Sequence, residues 1–356
     1  MNLTLSNNNI EAKSDLESEG IPKRRRLSSI DNINKIPLIG FGTYGVRNPL
    51  VIFNALSVGY RHLDIGIGYQ NLQTVKEGLT LAFAPLSEGG LGIERKDIWI
   101  TMKIDVYQSI ERINVLLTEA GTDYFDLLLY HYPFLMFNSK VQLEQSWRRL
   151  TELPKAEVRR IGVSNFYAPH LTRLLDVCQE YNLEKPFANE IQINPYVYGQ
   201  EKNTIKLCSE NGIHLIAYSP LGGDDYSDVI LKDETMQSIA ERINFTTAQL
   251  SLAWLISKNI CVIPKSDSKP RQEENFASKS AIYSVLPFSD AMDRISDDKD
   301  PCFLLNSAAD AKQDGDTLDM IAQSVQASLA AAVECNSSDS SLAPTAAVAE
   351  LLERLW

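Results

Sequence analysis

Eight short apolar runs, alternating with segments of helical period between about Lys35 and Ala277, leave this chain few folds to choose from. The runs are "IPLIGFG" (36–42), "RHLDI" (61–65), "IWITMK" (98–103), "FDLLLYH" (125–131), "RRIGVSN" (159–165), "FANEIQI" (187–193), "HLIAYSP" (214–220) and "CVIPK" (261–265). Each has the length of a buried strand. Between them lie "VQLEQSWRRLTEL", "PHLTRLLDVCQEYN", "EKNTIKLCSENG" and "TTAQLSLAWLISK", several opening on a capping residue or proline and one ending in Asn-Gly, as helices do.

Strands that alternate with helices form a parallel sheet, and eight such units over about 240 residues match a closed (β/α)₈ TIM barrel of the α/β class. The alternative is an open, doubly wound sheet. It loses its main support at the first strand, where "GFGTYG" lacks the G-x-G-x-x-G order and the downstream acidic residue of a dinucleotide fingerprint. The expected organisation is a polar, disordered leader (1–34), a barrel (35–288), and an acidic, Ala/Ser-rich, partly helical tail (289–356). The leader carries a basic cluster, "PKRRRLSS", which reads as a solvated tail, with a nuclear address or a kinase target as alternatives.

Composition removes whole classes of function. A formal charge of −12 over 356 residues opposes binding to nucleic acid or to anionic membranes. No run of apolar residues is long enough to span a bilayer, and the N-terminus has no signal-peptide core. The five cysteines are scattered without a CxxC pair or Cys/His ligand spacing, which suggests neither disulfides nor a metal site. The expectation is a cytoplasmic protein whose partner is a small molecule.

In a barrel of this kind chemistry collects at the carboxyl ends of the strands, so polar residues there carry information. Asp64 lies near the end of the second run, Lys103 closes the third, His131 the fourth, and Ser164 and Asn165 the fifth. Glu190 and Gln192, Tyr218 and Ser219, then Lys265 and Ser266 follow on the later runs. A carboxylate and an ammonium on adjacent strands are expected partners, because either alone would be costly to bury. That pair by itself reads equally as a structural ion pair. Tyr69, five residues after Asp64, changes the reading: a phenol near a cation can serve as a proton donor, and His131 supplies a second hydrogen-bonding group.

These residues resemble the aldo-keto reductases. "GYRHLDIGIGYQN" is similar to that family's G-x-R-x-x-D-x-A-x-x-Y-x-N/G signature, "ITMK" to its lysine strand, "DYFDLLLYHYP" to its L-x-x-x-H-x-P segment and "RRIGVSNF" to its G-x-S-N motif. The resemblance implies an NADPH-dependent reductase of aldehydes and ketones, with Tyr69 as general acid, Lys103 lowering its pKa, Asp64 anchoring Lys103 and His131 orienting the carbonyl. It places Ser164, Asn165 and Glu190 at the nicotinamide carboxamide and Tyr218 under the ring. It places Thr43, Asp64, Ser219 and Leu221 elsewhere along the cofactor, Lys265, Ser266 and Arg271 at the adenosine 2′-phosphate, and Glu274 and Asn275 at the adenine. A monomer is the implied state.

Three departures stand out: Glu190 replaces the family's usual glutamine, Ile65-Gly66 its Thr-Ala, and Leu72 an acidic residue. A carboxylate accepts from an amide NH₂ but cannot donate to its oxygen. The family's substrate loop is not recognisable in "SDAMDRISDDKDPCFLLNSAAD", so the substrate stays open. Two other functions compete: a nucleotide-binding sensor or scaffold on the same fold with little turnover, and a barrel isomerase or aldolase using Lys103 as a Schiff-base nucleophile.

Overall fold

All eight runs become parallel strands. The computed structural model describes residues 36–105, 110–133 and 139–297; the leader with its basic cluster, and the tail beyond Asp297, lie outside the described residues. The strands are β1 (Phe41–Gly42), β2 (His62–Gly66), β3 (Trp99–Ile104), β4 (Leu127–Tyr130), β5 (Ile161–Ser164), β6 (Ala188–Gln192), β7 (His214–Tyr218) and β8 (Cys261–Val262). They pair in chain order from β1 to β8. The ends of the sheet meet through a parallel bridge between Ile39 and Val262, where the Gly40 amide donates to the Val262 carbonyl at 2.8 Å and the Val262 amide to Leu38 at 3.0 Å. Helices follow the strands on the outside, giving the (β/α)₈ barrel.

Side chains alternate along each strand, so one set packs beneath the helices and the other fills the barrel. On β3, Ile100, Met102 and Ile104 join the large core shared with the helices, whereas Trp99 belongs to a smaller inner cluster with Leu127, Leu129 and Ile216. Lys103 and Thr101 therefore face inward with Trp99. The interior is tight: a Cβ on Gly162 would sit 2.5 Å from the Ala188 carbonyl oxygen and 2.7 Å from Leu129 Cδ2. Apolar side chains and a buried His62–Thr101 hydrogen bond (2.9 Å) fill the lower layers, beneath the polar residues of the upper rim.

The helix Ser289–Asp297 opens the segment expected to form a partly helical tail; it packs on the barrel, burying Met292 and Ile295. The Gly199 amide donates to Ser296 Oγ at 2.7 Å, and Lys258 pairs with Asp293 at 2.7 Å. The apolar i, i+3 spacing of Met292 and Ile295 within an acidic stretch explains the docking. Among the described residues, no helix is long and apolar enough to cross a membrane.

Candidate active site

Lys103, at the upper end of β3, is 1% exposed and lies between two carboxylates. Asp64 of β2 accepts from its Nζ through both oxygens at 2.5 Å, and Glu190 of β6 accepts through Oε1 at 2.7 Å. Burial alone would push the Lys103 amine down, but Asp64 and Glu190 more than compensate and hold it well above its ordinary value. It is a permanent cation. Glu190 is the surprise: the carboxylate assigned from sequence to a carboxamide is here a second partner of the lysine.

Tyr69 closes the short 3₁₀ turn Ile67–Tyr69 that follows β2. Its hydroxyl lies 3.4 Å from Asp64 Oδ2, and Lys103 Nζ is 5.1 Å from its ring centroid. Burial pushes this phenol well above 10; Lys103 pulls it down, while Asp64 and Glu190 push it up again. The lysine acts in the expected sense, but burial, the largest effect, outweighs it. Tyr69 thus holds its proton at neutral pH.

His131, just past β4, presents its ring edge-on to Tyr69, with centroids 6.0 Å apart. Burial, helped by the charge of Lys103, lowers it to about 3, so the imidazole is neutral and keeps one N–H to donate. Asp64, Tyr69, Lys103 and His131 therefore converge from three strand ends and one turn.

Next to them, β5 ends at Ser164, and Asn165 follows it. Ser164 Oγ donates to the Glu190 carbonyl at 2.9 Å. Asn165 takes a left-handed backbone (φ 62°), a conformation asparagine tolerates, donates to the His131 carbonyl at 2.9 Å and accepts from the Tyr218 hydroxyl at 2.8 Å. Ser219 is also left-handed (φ 45°), turning the chain sharply after β7 toward Leu221. Just past the end of β1, Thr43 donates its hydroxyl to the Asp64 carbonyl at 2.7 Å. These residues form one continuous rim.

Lys265, Ser266 and Arg271 lie apart from this centre, on the loop after β8 and the start of the helix Lys269–Ala277. Lys265 and Arg271 are exposed; Lys265 reaches Asp267 only at 3.4 Å. Glu274 and Asn275 lie on the same helix, Asn275 buried.

Some contributors escaped the sequence reading. Asn71 donates to the carbonyls of Thr43 (2.7 Å) and Val46 (3.1 Å), and Arg47 donates to those of Tyr69 (2.9 Å) and Gln70 (3.0 Å), pinning the turn that presents Tyr69. Tyr44 meets the Tyr69 ring edge-on at 5.2 Å, and Tyr132 stacks on His131 at 4.4 Å. Asn71 ends the quoted "GYQN", which was a usable signal; the others had none.

Known proteins supply the context for this geometry. The model of the aldo/keto reductase family matches residues 51–284. A D/L-glyceraldehyde reductase of Hypocrea jecorina is 33% identical over 68% of this chain and 80% of its own length. The glycerol 2-dehydrogenase (NADP(+)) of the same organism is 31% identical over 68% of this chain and 84% of its own. Among solved structures, the aldose reductase of Giardia lamblia superposes with a TM-score of 0.63 at 31% identity, covering 74% of this chain and 95% of its own.

Proposed function

The chain belongs to the aldo/keto reductase family, and on that premise we propose that it reduces small aldehydes and ketones to alcohols with NADPH, Tyr69 supplying the proton. Members of this family are oxidoreductases that use nicotinamide cofactors, and the chain is one of them. The convergence of Tyr69, Lys103, Asp64 and His131 carries the mechanistic reading.

The reduced nicotinamide would supply a hydride to the carbonyl carbon. The chain supplies the rest. Tyr69, kept protonated by burial, gives its hydroxyl proton to the carbonyl oxygen, and Lys103 offsets the negative charge that develops on the phenol. Neutral His131 donates a hydrogen bond that orients the carbonyl. Asp64 fixes Lys103, and Thr43 and Asn71 fix the backbone that carries Asp64 and the tyrosine turn. Proton donation of this kind is worth about 10²–10⁴-fold in rate.

The donor set suits the cofactor. Ser164 and Asn165 offer a hydroxyl and an amide for a carboxamide, and Tyr218 a flat ring beside them. Ser219 and Leu221 follow along the same rim, and Glu274 and Asn275, on the helix Lys269–Ala277, would serve the adenine end. Lys265, Arg271 and the Ser266 hydroxyl offer the two cations and the donor that a phosphate dianion prefers. A relative named for NADP(+) supports the same choice. The three described cysteines are free and buried, in keeping with a protein working in the reducing cytosol.

The test is Tyr69→Phe. The variant is expected to bind NADPH, read by nucleotide fluorescence, and to lose turnover of glyceraldehyde by at least about a hundredfold. Unchanged turnover would overturn the assignment, and a failure of the native chain to oxidise NADPH with any of a panel of aldoses, aromatic aldehydes and ketoesters would favour a sensor or scaffold.

A further inference from the structure

Glu190 does more than proton donation by Tyr69 requires. Its side chain is 1% exposed, Oε1 takes a hydrogen bond from Lys103, and Oε2 is buried with no hydrogen-bond partner. On the other side of the same ammonium lies the Asp64 carboxyl, itself 2% exposed. Two buried carboxyls that share one cation repel each other unless one carries a proton.

The charges around Glu190 are one-sided. β2 contributes Asp64 and, deeper, His62; β3 contributes Lys103; the turn after β2 contributes Tyr69. The segment after β4 brings His131 and Tyr132, β7 brings Tyr218, and β8 brings Cys261, while β5 adds only the hydroxyl of Ser164. Both histidines are held neutral, each lowered to about 3. Among the described residues that face Glu190, Lys103 is the one cation. It cannot fully neutralise two carboxylates and also stabilise charge on Tyr69.

We propose that Glu190 works as a protonated acid, and that this proton decides whether Lys103 serves Tyr69: neutral Glu190 leaves the ammonium one counter-charge, ionised Glu190 takes a second share of it. Burial first, then Asp64, push Glu190 up to about 8 against the pull of Lys103, which places its ionisation within the working range of pH. Loss of the proton to solvent adds one negative charge beside the phenol. Reduction builds negative charge on that phenol, so it must slow as pH rises through this ionisation. Glu190 is thus a positioning residue acting through Lys103.

The proposal rests on Tyr69 being the proton donor, and the experiment separates the two. kcat/KM for NADPH-dependent reduction of glyceraldehyde is measured from pH 6 to 10 for the full chain and for Glu190→Gln, which keeps the acceptor for Lys103 but cannot ionise. The native chain is expected to lose about tenfold per pH unit above an ionisation near 8, and the variant to keep its plateau, exceeding the native chain about tenfold at pH 9. Superimposable profiles overturn the role of Glu190, while the Tyr69→Phe result is untouched by either outcome. A second measurement needs no variant. Infrared difference spectra of the native chain without nucleotide should show a buried carboxylic-acid carbonyl band that disappears as pH rises through about 8. No such band, or one unchanged between pH 6.5 and 9.5, overturns the proposal.

Discussion

Of the lysines paired with carboxylates in this barrel, Lys103 and Lys265 differ in almost every respect. Lys103 is sealed inside, 1% exposed, with Asp64 at 2.5 Å and Glu190 at 2.7 Å. Lys265 is on the surface, 34% exposed, and its partner Asp267 is 58% exposed at 3.4 Å. In the buried pair, desolvation is costly and only a close geometry offsets it, so the fold fixes every atom. In the exposed pair water competes for both charges, and the contact is worth at most about 1 kcal/mol. The first arrangement suits a group that must stay put while charge develops nearby. The second suits one that must exchange its carboxylate for phosphate oxygens.

The sharpest way to break this contrast is to remove the two ammonium groups in turn. Lys103→Met leaves Asp64 and Glu190 buried face to face, and should cost about 3–5 kcal/mol of stability in addition to turnover. The cost should shrink with acid. Glu190 is already pushed up to about 8 with Lys103 present, and losing that cation raises it further, so at pH 5 its carboxyl is neutral and easier to bury than at pH 9. Denaturant unfolding at the two pH values measures this; equal midpoints for variant and native chain would show that the buried pair is not structurally committed.

On the exposed side the expected loss is of binding alone. Arg271→Ala and Lys265→Met should leave the unfolding midpoint within about 0.5 kcal/mol of the native chain, since both side chains lie in water. The KM for NADPH should rise about ten- to hundredfold in Arg271→Ala, the worth of a hydrogen bond to a charged group, while that for NADH barely moves. A parallel rise for both cofactors would mean that these residues do not discriminate the 2′-phosphate.

The same contrast explains what the sequence could convey. All eight strands were legible because each is a short apolar run bounded by turn chemistry, and sequential parallel pairing puts each beside the strands before and after it. Asp64 and Lys103 were legible as partners because β2 and β3 are adjacent. Glu190 was not legible as a third member. It lies three strands from Lys103 around the barrel, and only the closed interior, with a long lysine reaching across it, brings them together. For the same reason the net upward push on Tyr69 was hidden: the cation was visible in the sequence, while burial and the second carboxylate were not. Within the tail read as partly helical, the acidic surface of Ser289–Asp297 hid which residues dock it: Met292 and Ile295 are buried.

The smallest expected effect tests the exposed pair from its other half. Asp267→Asn removes the carboxylate that, on the proposed reading, competes with phosphate for Lys265, without disturbing the fold, because Asp267 is mostly in water. The KM for NADPH should fall, by no more than about fivefold, since the interaction released is under about 1 kcal/mol. Salt gives the check on cause. At 1 M ionic strength the screening length is about 3 Å, shorter than the Lys265–Asp267 separation, so variant and native chain should converge. If Asp267→Asn instead raises the KM and salt does not matter, Asp267 helps to hold the loop after β8 in its binding shape, and the exposed pair is more like the buried one than its accessibility implies.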